Sequence, residues 1–258
     1  MVNTTKNKYV DFISDQHFMK CVGDLFKAYE NTKNEYTEKQ FYKNKIDPIK
    51  LTFDMKFNNL TEKEMIAAEI QRQADKNISN FIGHFHEELM GGITEFEHIK
   101  NAGYDLRKVD NTIFAEIKNK QNTVNSSSKE TTYQKLQRFA ETNTDAKCYW
   151  VSLIAGNSYC EQWNQKFEDR TYNHPRVYKV SGDRFYEIVT GDKHAFMKLC
   201  TAIPHAIDEY LEKYTSTLKP NNTKVYSDIY SKATKNGVSV TNQLFNDNFN
   251  KYNGFPIK

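Results

Sequence analysis

The spacing of apolar residues predicts two helices in the first third of the chain. Residues 15–31 carry apolar side chains at helical spacing. A longer helix is expected to begin at Thr61, which forms a capping box with Glu64, and to end at the glycine pair 91–92. Residues 46–58 alternate between apolar and polar side chains, so they are predicted to be extended.

The next part of the chain predicts strands that alternate with helices. Two short strands, 104–109 and 112–120, flank Asp110 and Asn111 and are expected to pair as a β-hairpin. The elements predicted after the hairpin are a helix capped by Ser126–Ser128 and running to about Glu141, two apolar strands at 148–156 and 176–182, and a long helix bent at Pro204.

This order of elements favours an α/β fold with a central mixed β-sheet flanked by helices. No internal repeat or linker divides the sequence, so residues 1–258 are predicted to form a single domain with a core at about 61–215. Residues 221–258 are rich in Asn, Lys and Ser and only weakly patterned, and they are expected to be irregular.

Composition fits a globular protein of the cytoplasm. Hydrophobic residues make up 38% and charged residues 27%. The net charge of +3, from 36 basic and 33 acidic residues, is too small to indicate nucleic-acid binding by itself. The four cysteines form no CxxC pair and are expected to be reduced thiols. We also expect no membrane span, because no apolar stretch is long enough.

The predicted hairpin brings three charged residues together. Strand side chains alternate between faces, so Glu116 and Lys118 share one face. If Asp110 and Asn111 form a two-residue loop, equal steps outward from it place Asp105 directly across from Glu116, with Cβ atoms roughly 5 Å apart. Two neighbouring carboxylates repel each other unless a cation lies between them.

This charge set suits the hydrolysis of a phosphodiester bond. Mg²⁺ takes one or two carboxylates and keeps water in the rest of its coordination shell. A lysine two residues along the strand could then help position the attacking water. The following amide- and hydroxyl-rich residues suit phosphate oxygens and base edges, and we expect Asn119, Lys120, Asn122, Asn125 and Ser126 to lie near DNA.

The spacing of an acidic residue two before a lysine is common, so an ordinary ion-pair cluster is the competing interpretation. The chain has the same spacing at Asp145, which we interpret as surface charge, and at Asp54, which is a weak rival in the segment predicted to be extended. The apolar strand around Glu116, the cross-strand register and the amide-rich continuation favour a site.

The segment GYDLRKVDNTIFAEIKNK resembles the D…(D/E)-x-K hairpin of the PD-(D/E)XK nuclease superfamily, with Tyr104 in place of the motif's proline. The longer run EIKNKQNTVNSSSK, the GHFHEELMG helix and KVSGDRFYEIVTGDKHAF resemble type II restriction endonucleases of the SinI-type group, which cut GGNCC or GGWCC sites. The resemblance implies the superfamily's restriction-endonuclease-like core, Mg²⁺ dependence and cleavage of double-stranded DNA.

The superfamily often adds an acidic residue from a helix before the hairpin. Either Glu87 or Glu88 could fill this place: the apolar stripe of the helix favours Glu88, whereas the spacing from Gly83 favours Glu87. For each glutamate, an ordinary solvent-exposed charge on the helix surface is an equally good interpretation. The neighbouring His84 and His86 fit a polar helix face better than a transition-metal site, because no third ligand is suitably spaced.

The sequence therefore predicts a type II restriction endonuclease in which Asp105 and Glu116 bind metal and Lys118 assists the attacking water. A palindromic target favours a homodimer. A cognate DNA methyltransferase is implied only functionally. The alternatives are a repair or junction nuclease of the same superfamily and a non-catalytic DNA-binding module.

Overall fold

A computed structural model describes residues 7–34, 37–100, 102–120, 125–213 and 223–248. Contacts divide the chain into two compact units, Met1–Leu25 with Phe81–Thr215, and Phe26–Asn80 with Ser216–Lys258. We call them the sheet unit and the helical unit. The predicted single domain stays a prediction.

The fold is α/β, as the sequence predicts. The strands are β1 (Phe96–Glu97), β2 (Leu106–Lys108), β3 (Ile113–Lys120), β4 (Lys147–Ile154), β5 (Cys160–Gln162), β6 (Gln165–Phe167), β7 (Arg170–Tyr172) and β8 (Val177–Ser181). The helices are α1 (Asp15–Asn34), α2 (Glu38–Lys43), α3 (Pro48–Phe57), α4 (Glu62–Met90), α5 (Ser126–Thr142), α6 (Gly182–Thr190), α7 (Ala195–Glu212), α8 (Thr223–Asn236) and α9 (Val240–Asn248). Across the described residues, no helix has the length and hydrophobicity that a membrane crossing requires.

The sheet unit contains a six-stranded mixed sheet in the order β1-β2-β3-β4-β8-β5. The central strands β3, β4 and β8 are parallel, and the other pairings are antiparallel. Helix α5 covers one face, where Tyr133 and Leu136 pack with Trp150 of β4. Helix α6 covers the other face, where Phe185 contacts Tyr149. The mixed sheet flanked by helices confirms the predicted layer order.

Close packing at the start of α6 requires a glycine. A Cβ atom added to Gly182 would lie 2.5 Å from the carbonyl oxygen of Leu153 in β4, a distance that no side chain can tolerate. The contact involves backbone atoms, so it cannot be relieved by a rotamer change. This glycine allows α6 to approach the centre of the sheet.

Two segments of the helical unit differ from the prediction. Residues 48–57 form α3 rather than an extended segment, because Asp47 caps the helix by accepting a hydrogen bond from Lys50 N at 3.0 Å and Pro48 occupies its first turn. The C-terminal region contains α8 and α9 instead of an irregular tail. Its apolar residues join a distant core, made of Phe41, Ile46, Leu51, Met65, Ile66, Ile70, Val225, Ile229, Ala233, Val240 and Leu244.

Most other predicted boundaries hold. The capping box at the start of α4 forms, with Thr61 N donating to Glu64 Oε2 at 2.8 Å and Glu64 N donating to Thr61 Oγ1 at 3.3 Å. Helix α7 continues through Pro204. The cap of α5 is Asn125, whose side chain accepts from Ser128 N at 2.9 Å, rather than one of the serines that follow it.

Candidate active site

The β2–β3 hairpin has the predicted register. Leu106 pairs with Ala115 and Arg107 with Phe114, and one further step brings Asp105 opposite Glu116. Asp105 lies just outside β2, and two hydrogen bonds hold it against β3. Its N–H donates to Ala115 O at 2.9 Å, and its Oδ2 accepts from the N–H of Ile117 at 2.6 Å.

The turn of the hairpin involves more residues than the predicted two-residue loop. The N–H of Asn111 donates to Lys108 O at 2.9 Å, and Asn111 adopts a positive φ of 61°. The Asp110 side chain accepts from Thr112 N at 2.9 Å. Asn111 suits its place because asparagine tolerates the left-handed conformation, and Asp110 suits its place because its side chain caps the turn.

Asp105, Glu116 and Lys118 lie together at one end of this hairpin. Lys118 Nζ is 2.8 Å from Glu116 Oε1 and 4.0 Å from Asp105 Oδ2. All three side chains are mostly buried, and Glu116 is only 12% exposed. The structure therefore brings together the three residues that the sequence singles out.

The electrostatics favour a cation between the two carboxylates. Burial, the charge of Glu116 and the charge of Glu87 raise the pKa of Asp105 to about 6, against the opposing effects of the Ile117 N–H and Lys118. Burial lowers the pKa of Lys118, but Glu116, Asp105 and Glu87 together raise it above its usual value. An acidic group that resists ionisation beside a second carboxylate is stabilised by a bound cation.

The residues present fit a magnesium ion. Mg²⁺ is commonly bound through one or two carboxylates while it keeps several waters, and Asp105 and Glu116 supply such a pair. Among the residues that the structure describes, no group of three or more His, Cys, Asp and Glu side chains is placed to hold a metal. The pair thus suits a hard ion that retains water rather than a site closed by protein ligands.

A cleft of about 470 Å³ opens beside these residues. It is lined by His84, Glu87, Glu88, His98, Ile99, Lys100, Gly103, Tyr104, Asp105, Glu116 and Lys135. The cleft therefore joins the end of α4, the segment after β1, the hairpin and α5. Its lining includes both acidic and basic side chains.

The two helix carboxylates occupy different places in the cleft. Glu87 is 13% exposed, accepts from His84 Nδ1 at 2.9 Å and acts electrostatically on both Asp105 and Lys118. Glu88 is more exposed and lies 3.4 Å from Lys100 Nζ. The geometry favours Glu87 over Glu88 as the helix residue of the site, and its role there stays a prediction.

The two histidines of α4 do not converge on a common ligand. His84 is exposed and pairs with Glu87. The Nδ1 atom of His86 is buried and has no hydrogen-bond partner among the described residues, and burial lowers the pKa of this side chain to about 4. The two histidines therefore do not form a transition-metal site with each other.

Two residues near the carboxylates were not predicted from the sequence. Lys135 of α5 places its Nζ 3.3 Å from Glu116 Oε2, so each oxygen of Glu116 has a lysine neighbour. His98 Nδ1 lies 2.6 Å from the carbonyl oxygen of Asp105 and fixes the backbone there. No sequence signal identified Lys135, because only tertiary packing brings α5 to Glu116.

The predicted DNA-contacting residues fall in several environments. Asn119 lies on the strand face opposite Lys118, with its Oδ1 buried, whereas Lys120 shares the face of Lys118 at the exposed end of β3. The side chain of Asn125 is engaged in capping α5, and Ser126 is exposed at its first position. Asn122 lies outside the described residues.

Comparison with known proteins gives consistent matches. The family model for the Eco47II restriction endonuclease matches residues 10–212. The chain is 38% identical over 256 residues to the type II restriction enzyme Sau96I from Staphylococcus aureus, covering 96% of this chain and 98% of that enzyme. It is 29% identical over 214 residues to the type II restriction enzyme Eco47II from Escherichia coli, covering 79% of this chain and 89% of that enzyme.

Proposed function

We propose that Asp105, Glu116 and Lys118 carry out DNA cleavage with Mg²⁺ in this chain, which belongs to the Eco47II restriction endonuclease family. The chain is a type II restriction endonuclease, which cleaves double-stranded DNA at a specific sequence. The observation that carries the assignment is the pair of carboxylates facing each other across the hairpin, with Lys118 Nζ within 4.0 Å of both. The isolated ion-pair alternative does not explain why Asp105 is held in a position where burial opposes its ionisation.

Asp105 and Glu116 would hold the metal ion, with Glu87 as a third acidic group nearby. When bound, Mg²⁺ supplies an activated water and neutralises charge on the scissile phosphate. The Lys118 ammonium shares a strand face with Glu116, so it can orient the attacking water and donate a hydrogen bond to a phosphate oxygen. Lys135 brings a second positive charge to the same carboxylate.

We place the sheet unit in the PD-(D/E)XK superfamily on the basis of this hairpin and the mixed sheet. The tyrosine at the position of the motif's proline has a packing role. The Tyr104 ring lies 5.2 Å from that of Phe114 and 5.4 Å from that of Phe139, which anchors the chain just before Asp105. An aromatic anchor of this kind can replace the rigidity that a proline supplies.

The target that we propose is a GGNCC-like site, which follows from the resemblance of the sequence to the SinI-type group. A palindromic site is matched by a two-fold homodimer, in which each subunit cuts one strand. Such an enzyme acts beside a cognate methyltransferase in the cytoplasm. Lys120 and the exposed start of α5 at Ser126 are the described residues best placed for DNA among those predicted.

Digestion of a plasmid tests the proposal directly. Purified protein with Mg²⁺ should give discrete fragments, and sequencing their ends reports both the target and the cut position. Absence of cleavage with every divalent metal would overturn the assignment. Ends scattered over many sequences, or cleavage limited to branched DNA, would favour a repair or junction nuclease instead.

Substitution of Lys118 separates catalysis from a structural role. Lys118→Ala should abolish cutting while DNA binding, measured by fluorescence anisotropy, stays close to that of the unchanged protein. Lys129→Ala is the matched control, because Lys129 lies on α5 over the ring of Trp150 and outside the cleft. If Lys118→Ala mainly lowers the free energy of unfolding while Lys129→Ala leaves it unchanged, the cluster is structural.

A further inference from the structure

The ring of His98 is a buried contact of the Asp105 backbone. Its Nδ1 atom lies 2.6 Å from the carbonyl oxygen of Asp105, and only 9% of the side chain is exposed. A carbonyl oxygen can only accept, so Nδ1 carries a proton and donates this hydrogen bond. The contact therefore fixes the orientation of the ring as well as the position of the carbonyl.

This hydrogen bond acts where the regular strand pairing has stopped. Of the β2 residues paired with β1, Arg107 lies nearest to Asp105. Asp105 itself precedes β2, and its hydrogen bonds with Ala115 and Ile117 both hold it to β3. His98 follows β1 directly and supplies a contact from that side. Asp105 is thus held between β3 and the segment after β1.

His98 also packs against the end of α4. A Cβ atom added to Gly91 would lie 2.9 Å from both the N and the Cβ atoms of His98, so the chain leaving α4 and the backbone of His98 are closely packed. The Nε2 atom of the ring lies 3.9 Å from Glu88 Oε1. That distance is longer than a hydrogen bond, so the packing on Gly91 is the tighter of the two contacts with this region.

The two neighbouring glutamates of α4 therefore have different surroundings. Glu87 acts electrostatically on Asp105, whereas Glu88 lies beside His98 and Lys100. His98 contacts both the end of α4 and the backbone of Asp105, so it connects the helix that carries Glu87 to the hairpin. We infer that His98 is a positioning residue that sets the place of Asp105 relative to Glu87. The inference rests on the proposed function, because it concerns the carboxylates proposed to bind metal.

Amide hydrogen exchange of the full chain, without metal or DNA, tests the positioning. The probe is the Ile117 N–H, which donates to Asp105 Oδ2. His98→Ala should speed the exchange of this amide about tenfold, because one of the hydrogen bonds that hold Asp105 is lost. Amides at the centre of β4 should keep their rates. Exchange that rises equally throughout the sheet unit would show a general loss of stability and would overturn the inference.

Two amide side chains separate the ring atoms. The amide nitrogen of asparagine is attached to Cγ, as Nδ1 is, so His98→Asn can keep the hydrogen bond to Asp105 and should leave the exchange of the Ile117 amide nearly unchanged. The amide of glutamine lies one carbon further out, so His98→Gln should behave like His98→Ala. This pair also decides the question if His98→Ala does not fold. Equal effects of the two variants would overturn the inference.

Cleavage kinetics connect the position of Asp105 to the reaction. His98→Gln should lower kcat for DNA cleavage about tenfold to a hundredfold while KM for DNA stays the same, and His98→Asn should keep most of kcat. His174→Ala is the matched control, because this ring accepts a hydrogen bond from Arg176 N at 3.2 Å outside the cleft. Faster exchange at Ile117 with an unchanged kcat would overturn the inference.

Gly91→Ala perturbs the same contact from the side of α4. The added Cβ must displace His98, so the exchange of the Ile117 amide should rise and kcat should fall, as in His98→Gln. Gly83→Ala is the matched control on this helix, because a Cβ there meets no described atom within 4 Å. If Gly91→Ala and Gly83→Ala have the same exchange and kcat, the inference is overturned and the nuclease proposal stays intact. The predicted exchange pattern in a protein that cuts no DNA would instead refute the proposed function alone.

Discussion

Replacement of Asp105 by asparagine is expected to make the protein more stable while abolishing its activity. The carboxylate of Asp105 is mostly buried and faces Glu116, with Glu87 adding to the repulsion. Asparagine has nearly the same shape, and its side-chain oxygen can still accept the 2.6 Å hydrogen bond from the Ile117 N–H. The substitution therefore removes the unfavourable charge and keeps the local geometry.

The magnitude follows from the pKa of Asp105, which rises from 3.8 to about 6 on folding. A shift of roughly two units corresponds to about 3 kcal/mol between the two protonation states. Because the folded-state pKa is raised, the group's contribution to stability is complete below pH 3.8 and is lost as the pH rises through about 6. Asparagine does not ionise, so Asp105→Asn should gain up to about 3 kcal/mol at pH 8 and nothing near pH 3.5.

Urea unfolding followed by tryptophan fluorescence, in EDTA and between pH 3.5 and 8, measures this difference. Asp110→Asn is the internal control in the same hairpin. Hydrogen bonds from Thr112 and the ion pair with Lys108 lower the pKa of Asp110 to about 2, so removing its charge should destabilise the protein at neutral pH. The reasoning is refuted if Asp105→Asn is no more stable at pH 8, or if its advantage does not disappear in acid.

Two further outcomes follow from the geometry. Lys135→Ala should reduce kcat for DNA cleavage about tenfold to a hundredfold, because it removes one of the two cations beside Glu116. Stability should change little, because the Lys135 side chain is partly exposed. Unchanged kinetics would exclude a role for Lys135 in the site. Gly182→Ala should lower the free energy of unfolding by about 2 kcal/mol or more, because its Cβ meets the backbone of Leu153; a thermal midpoint within a degree of the unchanged protein would contradict this.

The hairpin could be predicted because its determinants are local. Strand alternation and equal steps from the turn fix which residues face each other, and neither depends on distant parts of the chain. The register at Leu106 and Ala115 was therefore confirmed even though the turn around Asn111 differs from the predicted loop. Two of the three candidate residues, Glu116 and Lys118, lie on the same strand.

The two segments that were predicted wrongly failed for different reasons, one local and one distant. Helix α3 exposes Phe53 and Phe57 while burying Leu51, so its apolar residues do not form one helical stripe, and the capping signal at Asp47 was the better guide. Helix α8 is mostly polar and is held by a few residues such as Val225, which pack on a core from the first third of the chain. Lys135 could not be assigned to the site for the same reason, since only tertiary packing brings α5 to Glu116.

The side chains lining the cleft all come from one continuous part of the chain, between His84 and Lys135. Contacts between residues near in sequence lose little chain entropy, and a β-hairpin can form within microseconds, well before parallel strands such as β4 and β8 are joined. The repulsion between Asp105 and Glu116 is then already present at the transition state for folding. Relief of that repulsion in Asp105→Asn would appear chiefly as faster folding, with little change in the rate of unfolding. The two carboxylates proposed to bind metal would thus limit how quickly the protein folds, as well as how stable it becomes.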